Sequence, residues 1–439
     1  MRNEFYFTKL LLIISLILCS EMGFGKTADP DSLSLNKAIK LTIQNYPLIK
    51  QQQEKIKAAE YKIEQQKSFY YPDITGEADY ARIGPLPSFV FGGEELILAP
   101  ADNYDINVGL NQQIFDFGKR DASVELMKSF KQSASDNVDL IKSNLTYRTL
   151  QTFYSILFLQ QSISVKDTQI ASLNAHLDVT NKKVQSGTAT EYDALSTKVR
   201  ISQAQSEKIE LLNQLKQQQI ILNELLGVPQ DTTLIIKGDF LAPSSIMNLD
   251  SLTTVAFQER PELKLAEDEL NSSRLQEHLV SLGDMPSLNA HLSYGFKNGY
   301  EPNIFVLRGN WVAAVSVDVP LFNGFLTSNK VSEAKVNSST AVLNIVTIKR
   351  TIVSDIQQAM SDLNSNLDKL KSTLTQVYFA QETVQQSIAR YNSGVGTNLD
   401  LLDAETSLAQ AKLFNLQDLF RSILSSYELK KAVGDILYF

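Results

Sequence analysis

Residues 186–204 read SGTATEYDALSTKVRISQA, and residues 393–411 read SGVGTNLDLLDAETSLAQA. Ser186-Gly187 recurs as Ser393-Gly394, Asp193-Ala194-Leu195 as Asp400-Leu401-Leu402, and Gln203-Ala204 as Gln410-Ala411, each 207 residues later. The same offset carries Asn103-Tyr104 to Asn310-Trp311, Ile114-Phe115-Asp116 to Leu321-Phe322-Asn323, and Gly227 to Gly434. Upstream the offset is 214, from Pro47 to Pro261 and from Tyr71-Pro72 to Met285-Pro286. The first copy therefore holds 214 − 207 = 7 extra residues between Pro72 and Asn103. One architecture is built twice, as residues 26–246 and 247–439, and any function must make sense in both copies.

Working outward from those two glycine turns, the chain lacks helix breakers. Between Gly118 and Gly227 the only glycine is Gly187, and between Gly324 and Gly434 the only ones are Gly394 and Gly396. No proline lies between Pro100 and Pro229, or after Pro320. This predicts two long helices per copy, 122–186 and 190–226, then 328–392 and 398–433. The first spans 65 residues, about 97 Å at 1.5 Å per residue. Ile156, Ile163, Ile170, Leu177 and Val184 recur every seven residues, as do Leu363, Leu370, Val377, Val384 and Tyr391. That period implies a left-handed coiled coil. Leu195, Val199, Leu211, Leu215, Leu222 and Leu225 continue the stripe past the first break. Segments 33–70 and 247–284 read as shorter helices broken by Pro47 and Pro261.

Before each long helix the period changes to two. Ile74, Gly76, Ala78 and Tyr80 alternate with Asp73, Thr75, Glu77 and Asp79. Alternation continues over 104–114, 287–296 and 311–321, giving strand pairs within 73–114 and 287–321. Each strand is about ten residues, enough to cross a bilayer when tilted, with one apolar and one polar face. Trp311 suits an interfacial aromatic belt. Four strands cannot close a barrel, and hydrocarbon forbids an open edge, so subunits must pool strands; two copies give eight and three give twelve. Loops 84–102 and 297–310 would then face outside the cell. Segment 228–246 joins the copies, and Thr233-Leu234-Ile235-Ile236 within it has strand character.

The N-terminus reads as a signal peptide over 1–25, with Arg2, an apolar run Leu10–Leu18, and small residues Gly23 and Gly25 before Lys26. Cys19 is the only cysteine, so a mature chain holds no disulfide or thiolate metal site. Leu18 in front of it is a poor lipidation context. With 41 basic and 49 acidic residues the net charge is −8, and nothing reads as a nucleic-acid footprint. His176, His278 and His291 are scattered without ligand spacing, and His176 reads as a solvated helix position while His291 faces the wet side of its strand. Gly25-Lys26-Thr27 lacks the earlier glycine of a phosphate loop. No catalytic constellation or cofactor motif emerges. What remains is a membrane duct or, alternatively, a secreted coiled-coil structural or adhesive protein. Asp400 and Asp403 lie three apart after the second break. Such a pair either caps a helix start or, ringed around an oligomeric pore, favours cations.

Arg390-Tyr391-Asn392-Ser393-Gly394 followed by Leu399-Asp400-Leu401-Leu402-Asp403-Ala404 resembles the TolC family of outer-membrane efflux proteins. Ser186-Gly187 with Asp193 is similar to its first turn, and Pro320-Leu321-Phe322-Asn323-Gly324 to its strand-to-helix motif. The resemblance implies a mainly α fold with membrane β. Each subunit of a homotrimer would give four strands to a twelve-stranded barrel in the outer membrane, above a long helical barrel in the periplasm. It implies an exit duct and not an enzyme, needing no cofactor or metal and partnered by outer-membrane lipid, a periplasmic adaptor and an inner-membrane transporter. It places adaptor docking at Ser186, Gly187, Thr188, Ser393, Gly394 and Val395. It places the periplasmic gate at Asp400 and Asp403, with Asp193, Tyr391 and Arg390 as further members. Gly396 stands where relatives can carry a latching arginine.

Overall fold

The computed structural model describes residues 32–243 and 249–435. The signal segment 1–25 and Cys19 lie outside these residues. Helices α1 (Leu35–Asn45) and α2 (Pro47–Ser68) lead into β1 (Asp73–Arg82), the hairpin β2 (Ser88–Phe91) and β3 (Glu94–Ile97), and β4 (Asp102–Phe115). The long helices α3 (Lys119–Gln185) and α4 (Glu191–Leu226) complete the first copy. The second runs α5 (Leu249–Glu259), α6 (Pro261–Ser281), β5 (Ser287–Lys297), β6 (Arg308–Asp318), α7 (Leu326–Asn392) and α8 (Asn398–Val433). Both ends of α3 and α7 are offset by 326 − 119 = 392 − 185 = 207, and both ends of α1 and α5 by 249 − 35 = 259 − 45 = 214.

The chain forms two compact units. One contains residues up to Lys40, Leu150–Phe240 and Ala380–Leu416; the other contains Leu41–Thr149, Leu241–Phe379 and the residues from Gln417 onward.

In the second unit the four long strands form one antiparallel sheet in the order β1-β4-β5-β6. Its register aligns the apolar sets across all four strands. Ile74 pairs with Leu110, Leu110 with Leu292 and Leu292 with Ala313; the row Gly76, Val108, Tyr294, Trp311 runs parallel to it. The row between them is Thr75, Gly109, Ser293 and Val312, and the next row beyond Gly76 is Glu77, Asn107, Gly295 and Asn310. A sheet with one apolar face normally buries it, because removing that face from water is the main gain of folding. Here it lies bare: Ile74 is 65 % exposed, Trp311 73 % and Val315 72 %. His291 stands on the polar face, its Nδ1 2.8 Å from Asn111 Oδ1.

At each strand-to-helix corner two consecutive residues take positive φ: Phe117 (55°) and Gly118 (88°) in the first copy, Gly324 (66°) and Phe325 (65°) in the second. Buried Asp116 fixes the first corner. Its Oδ1 accepts from Gly118 N, and its Oδ2 accepts from both N and Nε of Arg120. Asn323 fixes the second by donating to Asp284 and Thr327. Below, Pro47 and Pro261 each occupy the first turn of their helix, where a missing N–H costs nothing. Leu252, Ala256, Leu263, Ile352, Ile356, Ala359, Ala432 and Val433 make one apolar core. Arg260, 9 % exposed, donates to the Ala432 carbonyl at 3.1 Å and to Asp355 at 3.1 Å, tying α8 and α7 to the α5–α6 corner.

In the first unit Leu173, Ile201, Ala204 and Leu402 form one apolar cluster, flanked by Ile170 and Leu177. Several elements depart from the sequence reading. Loop 84–102 contains the β2–β3 hairpin, which occupies the stretch where the first copy is longer. Thr233–Ile236 makes only a single bridge, Ile236 to Leu33. Strand β6 stops at Asp318, so Val319 and Leu321 project beyond it. Leu222 and Leu225 are fully buried, but Leu195 and Val199 are 52 % and 66 % exposed. His176 is 9 % exposed, not solvated.

Candidate functional site at the paired helical turns

Two turns in the first unit carry the residues singled out from sequence. They are built alike. Helix α3 ends with Gly187 at φ 76°, and α7 with Gly394 at φ 78°. In this left-handed region a side chain is strained, so glycine closes the reversal. Ser186 Oγ donates to the Lys183 carbonyl at 3.0 Å, and Ser393 Oγ to the Arg390 carbonyl at 3.0 Å. Thr188 N donates to Lys183 O, and Val395 N to Arg390 O. The Val395 side chain is 72 % exposed. Gly396 serves a different purpose: a Cβ there would lie 3.0 Å from Arg390 Cβ and 3.2 Å from Tyr391 N. The turn has no room for an arginine at 396 without shifting Arg390.

Each following helix starts with a capping box. Thr190 N donates to Asp193 Oδ2 at 2.9 Å, and Asp193 N returns a bond to Thr190 Oγ1 at 3.3 Å. Thr397 N donates to Asp400 Oδ2 at 3.0 Å, and Asp400 N to Thr397 Oγ1 at 3.1 Å. Asp193 and Asp400 thus share one local job, satisfying helix N-terminal amides. Thr397 N–H and hydroxyl hold the exposed Asp400 carboxyl below the usual carboxylate range, with Arg390 adding to the effect. Asp403 lies one turn on and pairs with Arg200 Nη2 at 3.0 Å. Arg390, Asp400, Asp403, Thr383, Ser387 and Gly396 line an open groove of about 410 Å³.

Tyr391 faces away from that groove and is buried. Its hydroxyl is 3.2 Å from Thr180 Oγ1, its ring packs edge-on to His176 at 4.9 Å, and Lys183 Nζ sits 3.9 Å above it. Lys183 also donates to the Tyr391 carbonyl at 2.7 Å. Asn398 completes the cluster. Its amide donates to the Asp193 carbonyl and to Ser196 Oγ, each at 3.1 Å, and its Oδ1 lies 2.6 Å from His176 Nε2. With Oδ1 accepting, His176 carries its proton on Nε2. Four helices are stapled by hydrogen bonds, one of them from the Lys183 ammonium, and by one cation–π contact. The structure brings Tyr391 and Asp193 together with four residues the sequence reading did not assign to the site, His176, Thr180, Lys183 and Asn398, while Arg390, Asp400 and Asp403 line the separate groove. The available signal was a mismatch between copies, since Asn398 falls opposite Glu191 and Tyr391 opposite Val184 at the 207 offset. Nothing in the cluster is arranged for bond chemistry. It can hold helices together or release them.

The sequence matches the Outer membrane efflux protein family over residues 38–228 and again over 252–435. It is 22% identical over 391 residues to Protein CyaE of Bordetella pertussis, covering 87% of this chain and 80% of that one. It is 21% identical over 347 residues to Outer membrane protein TolC of Vibrio cholerae, covering 77% and 78%. The fold resembles the outer membrane protein VceC of Vibrio cholerae, with a TM-score of 0.75 at 16% identity over 91% of this chain and 96% of that one. It resembles the open state of the MtrE outer membrane channel of Neisseria gonorrhoeae, with a TM-score of 0.73 at 17% identity over 92% and 89%.

Proposed function

The chain belongs to the outer membrane efflux protein family, and we propose that three copies assemble into one duct that carries substrates from the periplasm to the outside. It is an outer-membrane channel of the TolC type and not an enzyme. The carrying observation is the bare, in-register apolar face shared by β1, β4, β5 and β6. In water that face would drive collapse or aggregation; in lipid it is the surface a barrel requires. It weighs against a soluble coiled-coil stalk, which needs no such face. The sheet ends in two edges, β1 and β6. Unpaired backbone groups in hydrocarbon cost several kcal/mol each, so those edges must meet partners. Three copies close a barrel of 3 × 4 = 12 strands.

In this reading the turns at 186–188 and 393–395 meet a periplasmic adaptor. Asp400 and Asp403 from three copies ring the narrow end, and an inner-membrane transporter supplies energy and choice of cargo. The match to the Outer membrane efflux protein family supports an efflux role for the duct. Outer-membrane fractionation, then mass measurement in detergent, tests the assembly. A particle of three subunit masses in the outer-membrane fraction is expected. A stable monomer recovered without membrane would overturn it.

A further inference from the structure

Glu405, Leu408, Ala409 and Lys412 follow one another at spacings of three, one and three, so they share one face of α8. In the first unit that face lines a cavity of about 230 Å³, closed by α3 and α7 through side chains that include Ser172, Gln381, Val384 and Gln385. Glu405 is 8 % exposed, and among the described residues its carboxylate takes one side-chain hydrogen bond, from the neutral Ser172 Oγ at 2.5 Å. One hydroxyl replaces little of the water a buried carboxylate gives up. The buried ammonium of Lys166 is engaged elsewhere, by Glu207 at 2.5 Å and Gln169 at 3.0 Å. Lys412 is half-buried and makes no ion pair or side-chain hydrogen bond among the described residues. Two turns of helix, about 10 Å, separate it from Glu405. One cavity thus holds two opposite charges that do not meet. The duplication shows that the scaffold does not require them. At the 207 offset the mate of Glu405 is Lys198, that of Lys412 is Gln205, and that of Ser172 is Phe379.

We propose that this cavity binds a small elongated zwitterion, an ω-amino acid, with its ammonium on Glu405 and its carboxylate on Lys412. A plain cation gains Glu405 but meets the like charge of Lys412, and a plain anion meets the reverse. Only a molecule carrying both charges satisfies both ends, so the site selects by repulsion as well as attraction. Leu408 and Ala409 lie between the two charges on α8, and Val384 adds to the apolar lining, which suits a short methylene chain. Gln381 and Gln385, exposed on successive turns of α7, make no side-chain hydrogen bond among the described residues and offer donors and acceptors at the mouth. The site lies within one subunit, so it goes beyond the duct reading and does not depend on how copies assemble. Its lining comes from three helices, and an occupant therefore straps α3, α7 and α8 together.

Calorimetric titration of the whole protein in detergent with ε-aminocaproate tests this, with n-hexylamine and caproate as single-charge controls. Saturable binding of ε-aminocaproate is expected, with each control about tenfold weaker or worse, as the loss of one charge-assisted hydrogen bond dictates. Glu405→Gln and Lys412→Gln should each weaken ε-aminocaproate by a similar factor. Bound ε-aminocaproate should also slow hydrogen exchange over 165–172, 381–388 and 405–412 and leave the four strands unchanged. Should Glu405→Gln fail to fold, Lys412→Gln and the two controls still decide. Wild type that shows neither saturable heat nor protection would overturn the site, the result expected if Lys412 folds onto Glu405 and closes the cavity. Equal binding of either control, or undiminished binding of ε-aminocaproate by Lys412→Gln, would overturn the zwitterion assignment.

Discussion

His176 Nε2 lies 2.6 Å from Oδ1 of Asn398, joining residues 222 apart in sequence across the two turns. This contact converts a coincidence of two similar helical hairpins into one joined tip. The asparagine uses both ends of its amide, accepting from the imidazole and donating to the Asp193 carbonyl and Ser196 hydroxyl. Both members are buried, so the alternative to this pairing is not solvation but loss.

Asn398→Ala should therefore loosen the tip. It leaves the buried imidazole with only its 3.4 Å contact to Thr180 Oγ1, a cost of about 1–3 kcal/mol for a poorly partnered buried group, while the Asp193 carbonyl keeps the Ser196 and Thr197 hydroxyls. Hydrogen exchange should quicken over 176–200 and 391–405 and stay unchanged in the four strands. Equal exchange throughout both turns would show that the staple holds nothing closed.

The three tip glycines should respond differently. A Cβ on Gly187 or Gly394 meets nothing within 4 Å, so alanine there costs only the left-handed backbone, about 1–2 kcal/mol. Assembly should survive. A bulky residue at either turn should impair export by blocking approach of an adaptor, while Gly396→Ala should disturb Arg390 and alter conductance. Normal export with a bulky residue at both turns would remove docking from these glycines.

The long helices were readable because proline and glycine are absent where a 67-residue helix runs and present where it stops. The strands were readable because alternation survives in all four. The β2–β3 hairpin was not, since Ser88–Ile97 lacks a two-residue alternation long enough to stand apart from a loop. Position in the tertiary structure was harder still. Leu195 and Leu402 are the same residue type at matched positions, yet one is bare and one buried. Sequence periodicity reports a helix face, not which neighbour covers it. His176 was misjudged for that reason: a histidine among Asn, Asp and Thr looks solvated until Tyr391 arrives from 215 residues away.

The carboxyl of Asp268 on α6 should make stability pH-dependent. Burial, then the nearby Asp136 carboxylate, pushes it up to about 7. The folded state holds a proton there that the unfolded chain releases near the ordinary 3.8. Stability therefore falls as pH rises from about 4 to about 7 and is level above. Asp268→Asn keeps the shape without the charge. It should raise the thermal midpoint near pH 8 and flatten the slope between 4 and 7. A midpoint that is unchanged at both ends of that window would show the two acids do not share a proton.

The last expectation concerns the acid pair at the second turn. In three copies Asp400 and Asp403 place 3 × 2 = 6 carboxylates near one axis in the proposed duct. Within one subunit Asp400 is held below the usual range by its bonds to Thr397. A depressed carboxyl contributes stability above its unfolded pKa and loses it as pH falls through the lower folded value, so the cap and the charge both persist down to about pH 4. Multivalent cations should accordingly block current from the periplasmic side more strongly than monovalent ones, with little change between about pH 5 and 8. The two residues should not weigh equally. Asp400→Asn removes charge and leaves an amide oxygen able to accept from Thr397. Asp403→Asn also unpairs Arg200, whose Nη2 now lies 3.0 Å from that carboxylate, adding a free positive charge beside the ring. Asp403→Asn should thus lower cation preference and block further than Asp400→Asn, and the double variant furthest. Planar-bilayer recordings in which wild type and the double variant show the same selectivity and block would take both residues out of the gate and leave them as a helix cap and a surface ion pair.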